Sequence, residues 1–344
     1  MRASFISTAS LVGAPRIGVA RMQQELVRLN QEVVTSRMAD VGLTLGARTA
    51  QSVSLHVDSK AIGSLIGSNG TIAAHLAQQQ SALDTMRSGA DDFMQELISG
   101  QTSGGDGNLV RAARLALASF TQAVNVSDGH DYLFSGINVS TAPLADYDSG
   151  PGTAVTAAFT VKFGFAPDDA AAAGITGTEM SDFLDNEFDA LFADPAWGAT
   201  WSSASDQVVT SRIDTATTVA TSVSANEPAM RKLAEAYTLV GYLGYDGLSA
   251  DAQAAILAKA KSLVGDGNDR LVDIQGSLGG VQNRVTEATE RLETQQSILA
   301  THIDSLEGVD AAEAKVKIDM LTTQIEMSYS LTARLLQMSL LNYA

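Results

Sequence analysis

Apolar side chains recur in alternating steps of three and four residues along both ends of the chain. The longest run leads from Ile62 to Leu97 through eleven positions, of which only Asn69 and Gln79 are polar. This spacing puts the apolar side chains on one face of an α-helix that, at about 1.5 Å per residue, would be roughly 50 Å long. Because one helix cannot bury its own stripe, the pattern predicts a second helix packed against it.

The same spacing occurs near both termini. The N-terminal stripe comprises Val19, Met22, Leu26, Leu29 and Val33. A C-terminal stripe runs from Val281 to Leu306 and, beyond a break at Gly308-Val309-Asp310, continues as Ile318, Leu321 and Ile325, followed after a shift of phase by Leu331, Leu335 and Met338. We predict that the N-terminal and C-terminal arms pair with each other as a rod of long helices.

Proline and charge divide the chain into three parts. Residues 16–142 and 229–344 contain no proline, which would interrupt a helix, whereas the segment between them holds four of the six prolines. Residues 141–225 carry twelve acidic and two basic side chains, so most of the net charge of −17 lies there.

The middle segment also differs in its composition. Residues 154–165 and 205–223 have the composition of strands, and residues 178–192 that of a short acidic helix capped by Thr178 or Ser181. We therefore predict a mainly α protein in which long helices from both chain ends carry a small, solvent-facing α+β domain as an insert.

Composition excludes several classes of function. The chain has no cysteine, so it forms no disulfide, thiolate nucleophile or cysteine-bound metal site. Its net charge of −17 disfavours binding to nucleic acid or to an anionic membrane. No uncharged apolar run approaches the roughly 20 residues that cross a bilayer, and the first residues lack the apolar core of a secretory signal. We expect a soluble protein that stays in the cytoplasm or leaves it without a cleavable signal.

The sequence offers no catalytic constellation. Its histidines stand far apart, and it has no nucleophile elbow, phosphate-binding loop or complete dinucleotide-binding glycine motif. Two GDGN strings, at residues 105–108 and 265–268, lack the spacing of a calcium loop and predict turns between helices.

Two remaining groups in the middle segment invite a functional interpretation. The acidic side chains of Asp182, Asp185, Glu187 and Asp189 are better explained as a solvated helix face than as paired catalytic carboxylates. Trp197 and Trp201 are better explained as anchors of a small core than as a ligand platform. We predict no enzymatic activity, no cofactor and no metal site.

Residues 277–295, SLGGVQNRVTEATERLETQ, resemble the C-terminal signature of the bacterial flagellin superfamily, in which a leucine-glycine turn precedes a long amphipathic helix. The matching motif consists of Leu278, Gly279, Gly280, Val281, Gln282, Asn283 and Arg284. Four further passages resemble the hook-associated protein 3 branch of that superfamily: LNQEVVTSRMADVGLTLGART at 29–49, DYLFSGINV at 131–139, LEGVDAAEA at 306–314 and MSLLNYA at 338–344. The first of these passages departs from filament flagellins, which carry a serine-glycine-basic loop there.

The resemblance covers roughly residues 1–140 and 229–344 and implies a domain organisation. Residues 1–45 with 310–344 would form an inner coiled-coil domain, residues 46–140 with 229–309 a long-helix domain, and residues 141–228 a variable, acidic outer domain. It implies that the stripe residues of the two termini form the assembly interface.

The resemblance also implies a role. The chain would be a structural subunit of the bacterial flagellum that is exported by the flagellar type III route and joins the hook to the filament outside the cell. Its partners would be further copies of itself in a helical assembly, hook-associated protein 1, flagellin and an export chaperone. The alternatives are a filament flagellin, a flagellin-type enzyme with a catalytic insert, and a secreted coiled-coil effector or adhesin.

Overall fold

The computed structural model describes residues 8–103 and 106–341, with side chains from 16 to 99, from 108 to 334 and at 337. The chain is mainly α, as predicted. Its helices are α1 Thr8–Thr35, α2 Val41–Leu45, α3 Thr49–Ser103, α4 Asp106–Val124, α5 Pro151–Phe163, α6 Gly177–Phe183, α7 Ala196–Thr200, α8 Pro228–Tyr242, α9 Ala250–Glu307 and α10 Ala311–Leu341. Strands β1 Thr210–Arg212 and β2 Thr218–Ala220 form an antiparallel hairpin in which Ser211 pairs with Val219.

The chain divides into two compact units. The smaller unit comprises Met1–Ser64 and Leu292–Ala344, and the larger unit comprises Leu65–Arg291. This grouping differs from the three-part division expected from the family. The middle segment does not separate from the long helices because its apolar side chains share one continuous core with those of α3, α4, α8 and α9.

The core of the larger unit is built around α8, which is buried on nearly every side and packs along α4. The Tyr237 ring contacts Phe93 edge-on at 5.1 Å between centroids and Phe120 at 5.8 Å. Trp197 and Trp201 are stacked at 5.6 Å and are 0% and 1% exposed. The prediction that the two tryptophans anchor a core is therefore confirmed.

The strand predicted at residues 154–165 is wrong, because this segment is helix α5. Pro151 lies in its first turn, where a missing N–H costs nothing, and Gly164 ends it in the left-handed conformation at φ 82°. Val155 and Phe159, four residues apart, are both buried. Tertiary packing of this helical face therefore overrides the strand-forming composition of the segment.

Two other local expectations are corrected. Helix α6 is capped by Thr176, whose hydroxyl accepts the N–H of Glu179 in a capping box, and not by Thr178 or Ser181. The second GDGN string lies inside the uninterrupted helix α9 and forms no turn. Its Gly267 instead permits close approach of α8, because a Cβ there would lie 2.9 Å from the Leu233 side chain. Of the first GDGN string, Asp106, Gly107 and Asn108 lie in the first turn of α4, and Gly105 lies outside the described residues.

Candidate assembly interface

The two terminal stripes meet in the smaller unit, where α1 packs along α10. The helices are antiparallel, because the Val309 N–H donates to the Ser36 carbonyl at one end and the Gln23 amide donates to the Tyr329 hydroxyl further along. On α1, Val19 and Leu29 are buried, while Met22, Leu26 and Val33 are half-buried. On α10, Ala314 is buried and Ile318, Leu321 and Ile325 are half-buried.

The apolar pattern of α10 shifts its phase after Ile325, whereas the face that contacts α1 does not. The inward face continues through the half-buried Ser328 and Thr332, which keep the three-four spacing of the preceding stripe. Leu331 consequently points outward and is 60% exposed. Leu331 therefore lies off the face that contacts α1, and its place in the assembly interface stays a prediction. The side chains of Leu335 and Met338 lie outside the described residues.

A second apolar stripe lies on the opposite side of α10. Val316, Met320, Met327 and Leu331 are 54–61% exposed and recur at helical spacing about half a turn away from the face that contacts α1. We call these four residues the outer stripe. Among the described side chains of α10, the outer stripe is therefore an apolar surface that α1 does not cover.

Glu307 fixes the corner between α9 and α10. Its side chain is only 4% exposed, and its Oε1 atom accepts a 2.5 Å hydrogen bond from the Ser52 hydroxyl and lies 2.8 Å from Nε2 of His56. Its Oε2 atom lies 3.4 Å from the Arg37 guanidinium. Burial acts to raise the pKa of Glu307, but the bonds from Ser52 and His56 and the charge of Arg37 together hold it below its ordinary value.

The backbone around Glu307 ties the end of α1 to the start of α10. The Met38 N–H donates to the Glu307 carbonyl, and the backbone of Arg37 pairs with that of Gly308 in an isolated antiparallel β-bridge. Position 308 requires glycine, because a Cβ there would lie 2.4 Å from the Asp304 carbonyl oxygen. Asp310 caps α10 by accepting the Ala312 N–H at 2.8 Å. The LEGVD string therefore encodes a corner with one buried carboxylate, one tight turn and one cap.

Replacing Glu307 by glutamine is expected to destabilise this corner by about 1.5–3 kcal/mol, the range for hydrogen bonds to a charged group. The carboxylate's contribution is fully present above pH 4.5, its ordinary pKa, and is lost as the pH falls through the lowered value. Hydrogen exchange should show faster exchange at residues 36–39 and 308–310. The same substitution at the exposed Glu326 should leave those amides unchanged.

The YLFSG string forms a loop in the larger unit whose backbone is hydrogen-bonded to residues 205–225. The Phe134 carbonyl accepts the Ala225 N–H, the Ser135 carbonyl accepts the Ser205 N–H, and the Ile137 N–H donates to the Gln207 carbonyl. Gly136 has φ 61°, and a Cβ there would lie 2.4 Å from the Ser205 carbonyl oxygen. The loop therefore holds residues 205–225 against the helices, and only glycine fits at its centre.

The LGGVQNR motif lies within α9 without any turn, which corrects the expectation of a leucine-glycine turn. Leu278 is buried and Val281 packs against the core, while Gly279 lies beside the Gln80 amide of α3. Gln282 is half-buried, and Asn283 and Arg284 are exposed. The motif thus has an inward apolar side and an outward polar side.

Titratable groups of the larger unit form surface pairs. Nζ of Lys162 lies 2.6 Å from Asp182 and 2.8 Å from Glu187, and Nζ of Lys259 lies 2.7 Å from Asp185. These acidic side chains are exposed, as is Asp189. Across the described residues, no group of three histidine, aspartate or glutamate side chains could hold a metal ion.

His75 forms one further pair in this unit, with its Nε2 atom 2.6 Å from Asp128. The backbone N–H groups of Asp131 and His130 are the main cause that lowers the pKa of Asp128 to about 2, with His75 adding to the effect. The pair lies at the turn that leads into the YLFSG loop, where it fixes the start of that loop.

Comparison with known proteins places both arms of the chain in one family. The family models for the bacterial flagellin N-terminal and C-terminal helical regions match residues 6–139 and 262–344, together more than half of the chain. No curated protein matches by sequence. In the described part of the chain, no helix is long and apolar enough to cross a membrane.

Two flagellar proteins of known structure match the chain at low sequence identity. A flagellar hook-associated protein from Vibrio parahaemolyticus matches with a TM-score of 0.54 at 12% identity, covering 77% of this chain and 99% of that protein. FlgL from Bacillus cereus matches with a TM-score of 0.46 at 10% identity, covering 74% and 98% of the two chains. With both terminal regions matched by their family models, the chain belongs to the bacterial flagellin family.

Proposed function

We propose that the protein is a structural subunit of the bacterial flagellum that joins the hook to the flagellin filament. The observation that carries the proposal is the pairing of α1 with α10, which leaves the apolar outer stripe of α10 exposed. The YLFSG and LEGVD strings, which resemble the junction branch, support the junction role over that of a filament subunit. A structural subunit of this kind needs no catalytic site.

In this proposal, burial of exposed apolar surface drives the assembly of subunits. The inward stripes of α1 and α10 stabilise each other within one subunit, whereas the outer stripe is covered by a neighbouring subunit. Contacts between different faces of successive copies do not close on themselves and therefore build a helical array. The neighbours on the two sides would be hook-associated protein 1 and flagellin, and an export chaperone would cover apolar surface before export.

A deletion strain tests the junction role. Loss of a junction protein should leave flagellin exported but released into the medium, whereas loss of the filament subunit should leave none to release. Immunogold labelling of isolated hook-filament preparations should show one band at the junction. Label along the whole filament would instead identify a filament flagellin, and label only away from flagella would identify an effector or adhesin.

Replacing Met320 and Met327 together by aspartate is expected to abolish incorporation, because a buried unpaired carboxylate costs several kcal/mol at an interface. Both side chains are more than half exposed in the subunit, so its fold should persist. Filament attachment and circular dichroism of the secreted subunit measure the two effects. The matched control replaces Thr322 and Ala333, which are exposed on a different face of α10, by aspartate. Normal filaments on cells with the methionine variant would contradict the assignment of the outer stripe.

A further inference from the structure

Helix α3 contains a glycine-rich stretch at residues 62–71. Gly63, Gly67 and Gly70 all lie inside the uninterrupted helix. A Cβ at Gly67 or Gly70 would meet nothing within 4 Å, and one at Gly63 would meet only the end of the Gln296 side chain at 3.2 Å. Packing therefore does not require glycine here, although each glycine weakens helix formation by about fivefold relative to alanine.

The same stretch lacks apolar burial. On α3 the apolar side chains that are fully buried begin at Ile72, and the residues between Ser52 and Asn69 are all exposed or half-buried. A helix gains most of its stability in water from tertiary packing of its apolar face. Residues 62–71 thus combine poor intrinsic helix formation with little packing, in contrast to the core-packed residues 76–97.

Asn69 takes the seam position in this stretch and connects it to the hairpin. It is 1% exposed, and its Nδ2 atom donates to the Ile213 carbonyl at 2.9 Å and to the Thr289 hydroxyl at 3.1 Å. Its Oδ1 atom is buried without a hydrogen-bond partner. Ile213 directly follows β1 and its N–H closes the hairpin turn through the Thr217 carbonyl. An incompletely satisfied polar group thereby replaces apolar burial where α3 contacts the turn of the hairpin, whereas Gln79, within the core-packed part of α3, donates to the Thr221 carbonyl after β2.

We propose that residues 62–71 of α3 open as a local unit while residues 76–97 stay folded, and that this opening releases the turn between β1 and β2. Local opening is drawn from segments with few buried apolar contacts, as here. Loss of helix geometry at Asn69 removes its hydrogen bond to Ile213, so the hairpin turn and the α3 stretch open together. The proposal concerns the isolated subunit and does not depend on the proposed function.

Hydrogen exchange of the full chain, read by mass spectrometry, tests the proposal. In the unmodified protein, amides 62–71 should exchange at least about tenfold faster than amides 76–97. Replacing both Gly67 and Gly70 by alanine should slow exchange in residues 62–71 by about 25-fold, the product of the two propensity factors. Exchange in residues 210–220 should slow in parallel.

Gly89 provides the matched control in the same helix. A Cβ there also meets nothing within 4 Å, but its neighbours Met86 and Ala90 are buried in the core. Gly89→Ala should leave exchange at residues 62–71 unchanged. Equal rates along α3, or equal slowing by Gly89→Ala, would mean global rather than local opening and would overturn the proposal. An unchanged hairpin in the Gly67/Gly70 variant would overturn its coupling to α3.

Discussion

Replacing Gly136 by alanine is expected to destabilise the larger unit by about 2–5 kcal/mol. The left-handed backbone at φ 61° costs an L-residue about 1–2 kcal/mol, and forcing a methyl group into a closed space costs about 1–3 kcal/mol more. That space is bounded by the backbone carbonyl oxygens of Ser205 and Gln207, 2.4 and 2.5 Å from the added Cβ, which move only if the paired segments separate. Denaturant unfolding followed by tryptophan fluorescence measures the effect, because Trp197 and Trp201 both lie in this unit.

Gly129 separates the two contributions. It also has a positive φ, 99°, but a Cβ there would meet nothing within 4 Å. Gly129→Ala should therefore show only the conformational cost and a clearly smaller loss of stability. If the two variants unfolded at the same denaturant concentration, the close approach of the Ser205 and Gln207 carbonyl oxygens to position 136 would contribute nothing to the loss of stability.

Replacing Glu235 by glutamine is expected to stabilise the larger unit at pH 8 and above. Glu235 is 3% exposed on α8, and its Oε1 atom has no hydrogen-bond partner. Burial raises the pKa of Glu235 to about 8, with Asp189 and Asp185 adding to the rise and Lys259 and Lys232 opposing it. The difference between that pKa and the ordinary value of 4.5 corresponds to a loss of folding stability of at most about 5 kcal/mol when Glu235 is ionised. Glu235→Gln should recover a few kcal/mol of that loss at high pH.

The pH dependence of folding stability follows from whether the Glu235 carboxyl group is protonated in the folded and in the unfolded chain. Below pH 4.5 the carboxyl group of Glu235 is protonated in the folded and the unfolded chain, so it adds no penalty. Between pH 4.5 and about 8 only the unfolded chain ionises, and the stability of the unmodified protein falls as the pH rises. Above that range the penalty stays constant. Glu235→Gln should flatten this slope, whereas Glu287→Gln, at an exposed position of α9, should not. An unchanged slope in Glu235→Gln would show that Glu235 is charged in the folded protein.

Helical periodicity predicted much of this fold because it is a local property of the sequence. The stripe from Val19 to Val33 and that from Ile318 to Ile325 both lie on faces turned inward, and the break at Gly308 lies where α9 ends. The inward face beyond Ile325 was not predicted, because the small polar residues Ser328 and Thr332 occupy its positions. A search for apolar side chains at helical spacing does not detect inward positions that hold small polar residues.

Features that depend on distant contacts could not be predicted. Glu307 looks like any surface carboxylate in the sequence, since its partners Ser52 and His56 lie more than 250 residues away. The strand composition of residues 154–165 concealed the helix signals of Pro151 and Gly164 at the two ends of α5. The string containing Gly136 was recognised by resemblance, but the approach of Ser205 that requires glycine is visible only in the fold.

The two methionines of the outer stripe give this surface a particular chemistry. Methionine is unbranched and polarizable, so the exposed Met320 and Met327 can adapt their shape to different contacting surfaces. The same thioethers are open to oxidants, which convert them to polar sulfoxides without altering the helix backbone. A subunit that lacks cysteine would thus still carry redox-sensitive side chains, located on the surface through which it would join its neighbours.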